Sequence, residues 1–226
     1  MSSFVLKIIA IITMFIDHLG YAIFGKFSYF NYIGRLSFPI FAFQISEGYI
    51  HTKNLKKYFL RLFLFALVSQ IPFMLFHSII SSDFSLNIFF TLFLGLLSIY
   101  IYDECKYKFL GIIASVLLAL IAQFSHCDYG AYGVAIILIF YIFKNNIITS
   151  SMFFIIATLI RYFLPCIKYG IFQKKYLYLF ICTIIPCLFF AAYNGKKGKN
   201  KLAIKILKTS PKSELRAIFM YFIIFP

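Results

Sequence analysis

Apolar stretches of about 17 to 22 residues recur along the whole chain, separated by short connections rich in Gly, Asn, Ser and Lys. As helices rising 1.5 Å per residue, stretches of that length match a hydrocarbon core about 30 Å thick. In such a solvent only helices and closed barrels satisfy their own backbone. Barrel strands alternate apolar and polar residues, and no such alternation is present. Composition agrees: the 226 residues are 62% hydrophobic and 13% charged, whereas soluble domains carry about 25% charged residues. Mean hydropathy is +0.91. The sequence predicts an all-α, polytopic transmembrane bundle of about 8-9 helices.

The helices are expected at about 4–25, 33–51, 57–77, 86–102, 109–125, 131–144, 147–164 and 175–193, with a last one from about 214. Residues 1–226 read as a single integral-membrane domain. A lysine-rich stretch, 194–213, is its one long linker. The final segment, from Glu214 to Pro226, is too short to span unless it continues or lies in the interface. The first stretch lacks a small-residue cleavage site and contains Asp and His, so a retained helix is expected rather than a removed signal.

A net charge of +15 raises the question of nucleic acid, but the cations cluster in particular connections and form no basic patch with interleaved aromatics. With the N-terminus in the cytoplasm, sixteen of the 22 Lys and Arg residues fall inside, among them Lys53, Lys56, Lys57, Arg61, Lys106 and Lys108. That asymmetry is the positive-inside pattern. It predicts a multi-pass protein of the cell (inner or plasma) membrane, nine crossings, and no nucleic-acid partner. Cys105, Cys127, Cys166, Cys182 and Cys187 show no metal-like or disulfide-like spacing, so packing thiols and no metal are expected.

Against this apolar background the ionisable residues stand out. Asp17 and His18 fall near the middle of the first helix, where a charge costs roughly 2.5 to 3.5 kcal/mol on insertion scales. Adjacent helical residues point about 100° apart, so each is expected to meet a group from another helix. On the second helix Gln44, Glu47, Gly48 and His51 follow i, i+3, i+4, i+7 spacing, with Ser37 on the same face. Arg35 begins that helix and could reach Asp17, with Pro39 a possible kink below it. Asn87, Thr91, Gly95 and Ser98 form a second polar face on the fourth helix; the small residues also suit close helix packing. Asp128 opens the sixth helix, as a cap or as a functional carboxylate. Arg161, near the outer end of the seventh helix, could snorkel to the interface. These features predict a polar chamber within the first, second and fourth helices. A basic mouth of His51, Lys53, Lys56, Lys57 and Arg61 would attract a phosphorylated ligand or anionic lipid headgroups. No Gly-rich phosphate loop, HExxH, GxSxG or CxxC motif occurs.

Leu6-Lys-Ile-Ile-Ala, Asp17-His-Leu-Gly20, Ile33-Gly-Arg-Leu-Ser-Phe-Pro-Ile-Phe-Ala-Phe43, Glu47-Gly, Leu86-Asn-Ile-Phe-Phe-Thr91, Asp128-Tyr-Gly-Ala-Tyr-Gly133 and Tyr193-Asn-Gly-Lys-Lys-Gly198 together resemble the TraX family, in chain order from about residue 5 to 198. The resemblance implies kinship with multi-spanning membrane acyltransferases, including polysaccharide O-acetyltransferases. Founding members of the family are associated with N-acetylation of conjugative pilin. Two departures are noted: Gln70 stands where the family pattern has Glu, and relatives continue beyond Phe225-Pro226 into a fuller last helix.

By that resemblance, acetyl-CoA would be the acyl donor, its phosphates near His51, Lys53, Lys57 and Arg61. His18 would be the general base, with Asp17 or Glu47 orienting it. Arg35, Gln44, Asn87, Thr91 and Asp128 would meet the acceptor, a hydroxyl or amine of a protein, glycan or small molecule at the outer face. A proton-coupled transporter relaying through Asp17, His18 and Glu47 is the competing reading. A non-enzymatic membrane assembly protein is another. The lipid bilayer is a partner in each.

Overall fold

A computed structural model of the chain describes residues 1–78, 83–170 and 173–198. Its helices are α1 (Ser3–Phe24), α2 (Tyr29–Gly34), α3 (Ser37–His51), α4 (Leu55–His77), α5 (Ile88–Glu104), α6 (Lys108–Phe124), α7 (Gly130–Ile142), α8 (Ile147–Tyr169), α9 (Lys174–Ile184) and α10 (Pro186–Ala191). The last two follow one another directly, so among the described residues there are eight main helices and the short α2. Among the described residues there is no strand, only an isolated bridge between Leu86 and Cys127.

Local chemistry sets the ends. Asn54, Asn87 and Asn146 cap α4, α5 and α8, their side-chain oxygens accepting backbone N–H groups of the first turn. Gly25 closes α1 in the left-handed conformation at φ 61°. The expected single helix over 33–51 is instead two, because the chain turns at Arg35 and Leu36. Pro39 is the third residue of α3, where its missing N–H would have no partner anyway. It therefore marks a helix start and not a kink.

With α9 and α10 taken as one, the main helices run in alternate directions, since residues near the ends of α1, α4 and α6 and before the starts of α3 and α7 come together, and packing sorts them into two layers. In α3, eleven of fifteen residues are buried, and α5 and α7 pack against it. Phe38, Phe43, Leu96, Ile137 and Phe140 form the shared core. Gly95 and Gly133 permit the close approaches, since a Cβ on either would overlap Ile137 or Thr91. Around this layer lie α1, α4, α6 and α8, with apolar side chains facing outward: Phe15, Val68, Ile71, Phe109, Ile148 and Leu164 are all more than half exposed. A face that apolar is stable only against lipid, so this is a helical membrane protein.

Among the described residues four helical lengths, Ser3–Phe24, Leu55–His77, Ile147–Ile167 and Lys174–Ala191, are long and apolar enough to cross a bilayer. The inner α7, 13 residues and about 20 Å long, is shorter than the core is thick. Wrapped in protein, it does not need to match the lipid.

The start of the chain is tied to residues 192–197. The Met1 amine donates to the Ala192 carbonyl, Asn194 N to Met1 O (2.9 Å), Ser3 N to Lys196 O (2.9 Å) and Phe4 N to Lys197 O (3.2 Å). The lysine-rich linker thus begins as a strap across the start of α1. Its continuation and the expected last helix lie outside the described residues.

Candidate functional site

Asp17 lies about two-thirds along α1 and is held by the segment that follows. The fully buried Asn31 donates from Nδ2 to Asp17 Oδ1 and to the Asp17 carbonyl, both at 3.1 Å. Its Oδ1 accepts from Ser28 N (2.6 Å) and Ser28 Oγ (3.1 Å). Arg35 donates from Nε to the Asn31 carbonyl (3.2 Å), and its Nη2 stands 3.7 Å from Asp17 Oδ1. Gly34 packs so closely on Asp17 that a Cβ would collide with the carboxyl group. The expected reach of Arg35 to Asp17 is therefore present, and Asn31 is the group that sequence reasoning missed.

His18 is oriented by neither Asp17 nor Glu47. Its Nδ1 lies 2.8 Å from the Met14 carbonyl. A carbonyl only accepts, so Nδ1 carries the hydrogen and the neutral ring keeps its lone pair on Nε2. Phe76 of α4 meets the ring at a centroid distance of 5.1 Å.

Both residues open onto a cavity of about 530 Å³. Tyr21 and Arg35 line it beside them, with Phe73, Phe76 and His77 from α4 and Asp83, Phe84 and Ser85 from the next connection. Gln123 of α6, residues 126–130 and Arg161 of α8 complete the wall. Three of the four histidines in the sequence, His18, His77 and His126, meet there. Among the described residues no three His, Cys, Asp or Glu are grouped so as to hold a metal ion. A concave site with convergent ionisable groups and aromatic walls is the ordinary form of a small-ligand site.

The connection from α6 to α7 forms the cavity's most constrained wall. His126 (φ 52°) and Tyr129 (φ 64°) both adopt the left-handed conformation without being glycine, the kind of stored strain that clusters at functional sites. Leu86 N donates to His126 O (3.0 Å) and Asp128 N to Leu86 O (2.9 Å). Thr91 Oγ1 donates to the Asp128 carbonyl. Phe38 stacks under Tyr129 at 3.8 Å. Surrounding protein raises the Asp128 carboxyl above the usual aspartate value, against the pull of Arg35 and Arg161. Because Asp128 remains exposed to the cavity, solvent screens that shift.

The predicted chamber is divided in two by the structure. Asp17, His18, Arg35 and Asp128 line the cavity; Gln44, Glu47, Asn87 and Thr91 do not. From the start of α3 at Ser37, beside Arg35, Glu47 is ten residues along the helix, about 15 Å of rise. Glu47 instead accepts from Tyr193 Oη (2.9 Å) and lies 3.8 Å from His51 Nδ1. Gln44 donates to the Ser3 carbonyl at 2.9 Å, fastening α3 to α1.

Asn87 and Thr91 act behind the wall. Asn87 Nδ2 donates to Ala66 O (2.8 Å) and to Gln70 Oε1 (2.9 Å), which uses both its hydrogens and leaves none for an oxyanion. His51, Lys53 and Lys57 are exposed at the opposite end of the bundle, with Arg61 over the Tyr58 ring at 6.0 Å. The expected basic mouth therefore faces away from the cavity. His77 and His126 could have been found from the alternation of helix directions, which brings residues 77 and 126 to the end where α1 finishes.

The sequence profile of the family described as TraX protein matches residues 2–205. A curated relative from Dichelobacter nodosus, "Probable fimbrial assembly protein FimC, serogroup H1", is 30% identical over 214 residues, covering 87% of this chain and 86% of its own length. No solved structure gives a significant match.

Proposed function

The chain belongs to the TraX family, and from that premise we propose that it is a membrane-embedded acyltransferase that moves an acetyl group from cytoplasmic acetyl-CoA to a hydroxyl or amine acceptor in the cavity. The observation that carries the reading is His18: the Met14 carbonyl fixes its tautomer, so Nε2 is the nitrogen available to take a proton. An imidazole with one free ring nitrogen is the side chain suited to take up a proton and return it in a single turnover.

In this reading His18 Nε2 accepts the proton of the acceptor as its oxygen or nitrogen attacks the thioester carbonyl. The new C–O or C–N bond forms, the C–S bond breaks, and the imidazolium returns its proton to the departing thiolate. Arg35, fixed between Asp17 and Asn31, is the cation placed to steady the developing oxyanion. Asp17 acts through Arg35 rather than through His18. The donor's phosphates would lie at the basic end, near His51, Lys53, Lys57 and Arg61. From Lys7, one turn inside that end, His18 is eleven residues along α1, about 16 Å, which the donor's arm must cover. The name of the Dichelobacter relative makes a fimbrial or pilus subunit one candidate acceptor.

The test is transfer from radiolabelled acetyl-CoA in membranes carrying the wild-type chain, His18→Ala or His18→Gln. Loss of a positioned base is expected to lower transfer by about 10²-fold or more. Equal transfer by all three removes His18 from the mechanism. The relative's name also favours an assembly role without chemistry; pilus or fimbrial assembly that persists in His18→Ala, with no transfer by the wild type, would establish that alternative.

A further inference from the structure

Arg161 is the one cavity arginine whose donors the protein leaves unused among the described residues. Arg35 has Asn31 and Asp17. Among the described residues Arg161 makes no hydrogen bond and no ion pair within 4 Å, and its contacts are with rings. Its guanidinium carbon stands 4.5 Å from the Tyr132 centroid and 5.4 Å from that of Tyr129.

Those rings are themselves fixed, Tyr129 by its stack on Phe38 and Tyr132 by a 2.9 Å hydrogen bond with Thr158. A cation–π contact uses none of the guanidinium's N–H donors and leaves them for a planar, bidentate acceptor. Asp128 is within electrostatic reach of both arginines. It touches neither within 4 Å, so it tempers the charge without filling the donor edge.

Snorkelling does not account for this placement. Arg161 lies eight residues before the end of α8, about 12 Å of helix, and helical side chains lean toward the N-terminus, away from that end. The side chain lines the cavity instead.

We propose that Arg161 anchors an anionic group, a carboxylate or phosphate, of the molecule that occupies the cavity. This rests on the acyl-acceptor reading only in naming that molecule the acceptor, which then carries an acid group apart from the nucleophile that meets His18. The phosphate could belong to a soluble compound or to a lipid headgroup.

The experiment is arginine modification by phenylglyoxal on the full chain in detergent, with Arg161 followed by mass spectrometry. Inorganic phosphate or acetate at ten times its dissociation constant is expected to slow labelling about tenfold by mass action, relative to chloride at equal ionic strength. Reconstitution then separates the sources. Protection by phosphatidylglycerol vesicles, whether or not phosphatidylcholine vesicles also protect, assigns a lipid phosphate, one in a net-anionic headgroup where phosphatidylcholine fails; protection by the free anions alone assigns a soluble acid. As a second measurement, both anions are expected to raise the melting midpoint of the wild type, partly that of Arg161→Lys, and not that of Arg161→Gln. Labelling insensitive to every anion, or equal melting shifts in wild type and Arg161→Gln, would overturn the proposal. Protection without any acetyl transfer would leave the anion site standing and remove the acyltransferase.

Discussion

Asp17 is fastened by a single short segment, 28–35, that supplies Ser28, Asn31, Gly34 and Arg35. Asn31 is the keystone of that arrangement, since it is fully buried and bonds to both ends of the cluster. Asn31→Ala removes two donors to Asp17 and orphans the Ser28 N–H, for an expected loss of about 1–3 kcal/mol. Thermal unfolding in detergent reads the change; an unaltered midpoint would mean that water replaces the amide. The pairing of Arg35 with Asp17 was legible in the sequence, because a carboxylate inside a membrane requires a counter-charge and few cations lie at its depth. Asn31 was not legible. In a connection full of polar residues, nothing distinguishes the one that turns inward.

At the scale of elements, Gln70 explains why a carboxamide suits its place on α4. Its Nε2 donates to the Ser85 carbonyl (2.9 Å), while Oε1 accepts from Asn87 N (3.0 Å) and Asn87 Nδ2 (2.9 Å). The orientation is forced, since Asn87 N–H can only donate. One side chain thereby holds the start of α5, and Leu86 beside it carries the 126–128 wall. Gln70→Glu loses the donor to Ser85 and sets a carboxylate against a carbonyl, an expected cost of about 1–3 kcal/mol. Slower unfolding or an unchanged midpoint for Gln70→Glu, against a lowered one for Gln70→Ala, would show that a carboxylate is accommodated. Helix positions were readable because apolar run length and Asn or Gly punctuation determine them. The break at Arg35 and Leu36 was not, because Pro39 is compatible with either a kink or a first turn. Nor was the division of the polar stripe: helical spacing shows which residues share a face, and not which neighbour each level of that face meets.

For the whole molecule, the decisive asymmetry is between its two ends. His51, Lys53, Lys56, Lys57, Lys106, Lys108, Lys144, Lys196 and Lys197 gather at the end holding the N-terminus. The cavity end has Lys26, Lys174 and Lys175 beside the two cavity arginines. Cytoplasmic loops are the ones enriched in Lys and Arg, so the basic end is expected inside and the cavity toward the opposite face. Single cysteines at the exposed positions Lys26 and Lys106, in a background with the native cysteines changed to Ser or Ala, test this directly. A membrane-impermeant maleimide should label Lys26→Cys in intact cells and Lys106→Cys only after permeabilisation. The reverse pattern would place the cavity on the cytoplasmic side. The donor and acceptor would then have to enter from faces opposite to those proposed, and the distance from the basic end to His18 would lose its mechanistic meaning.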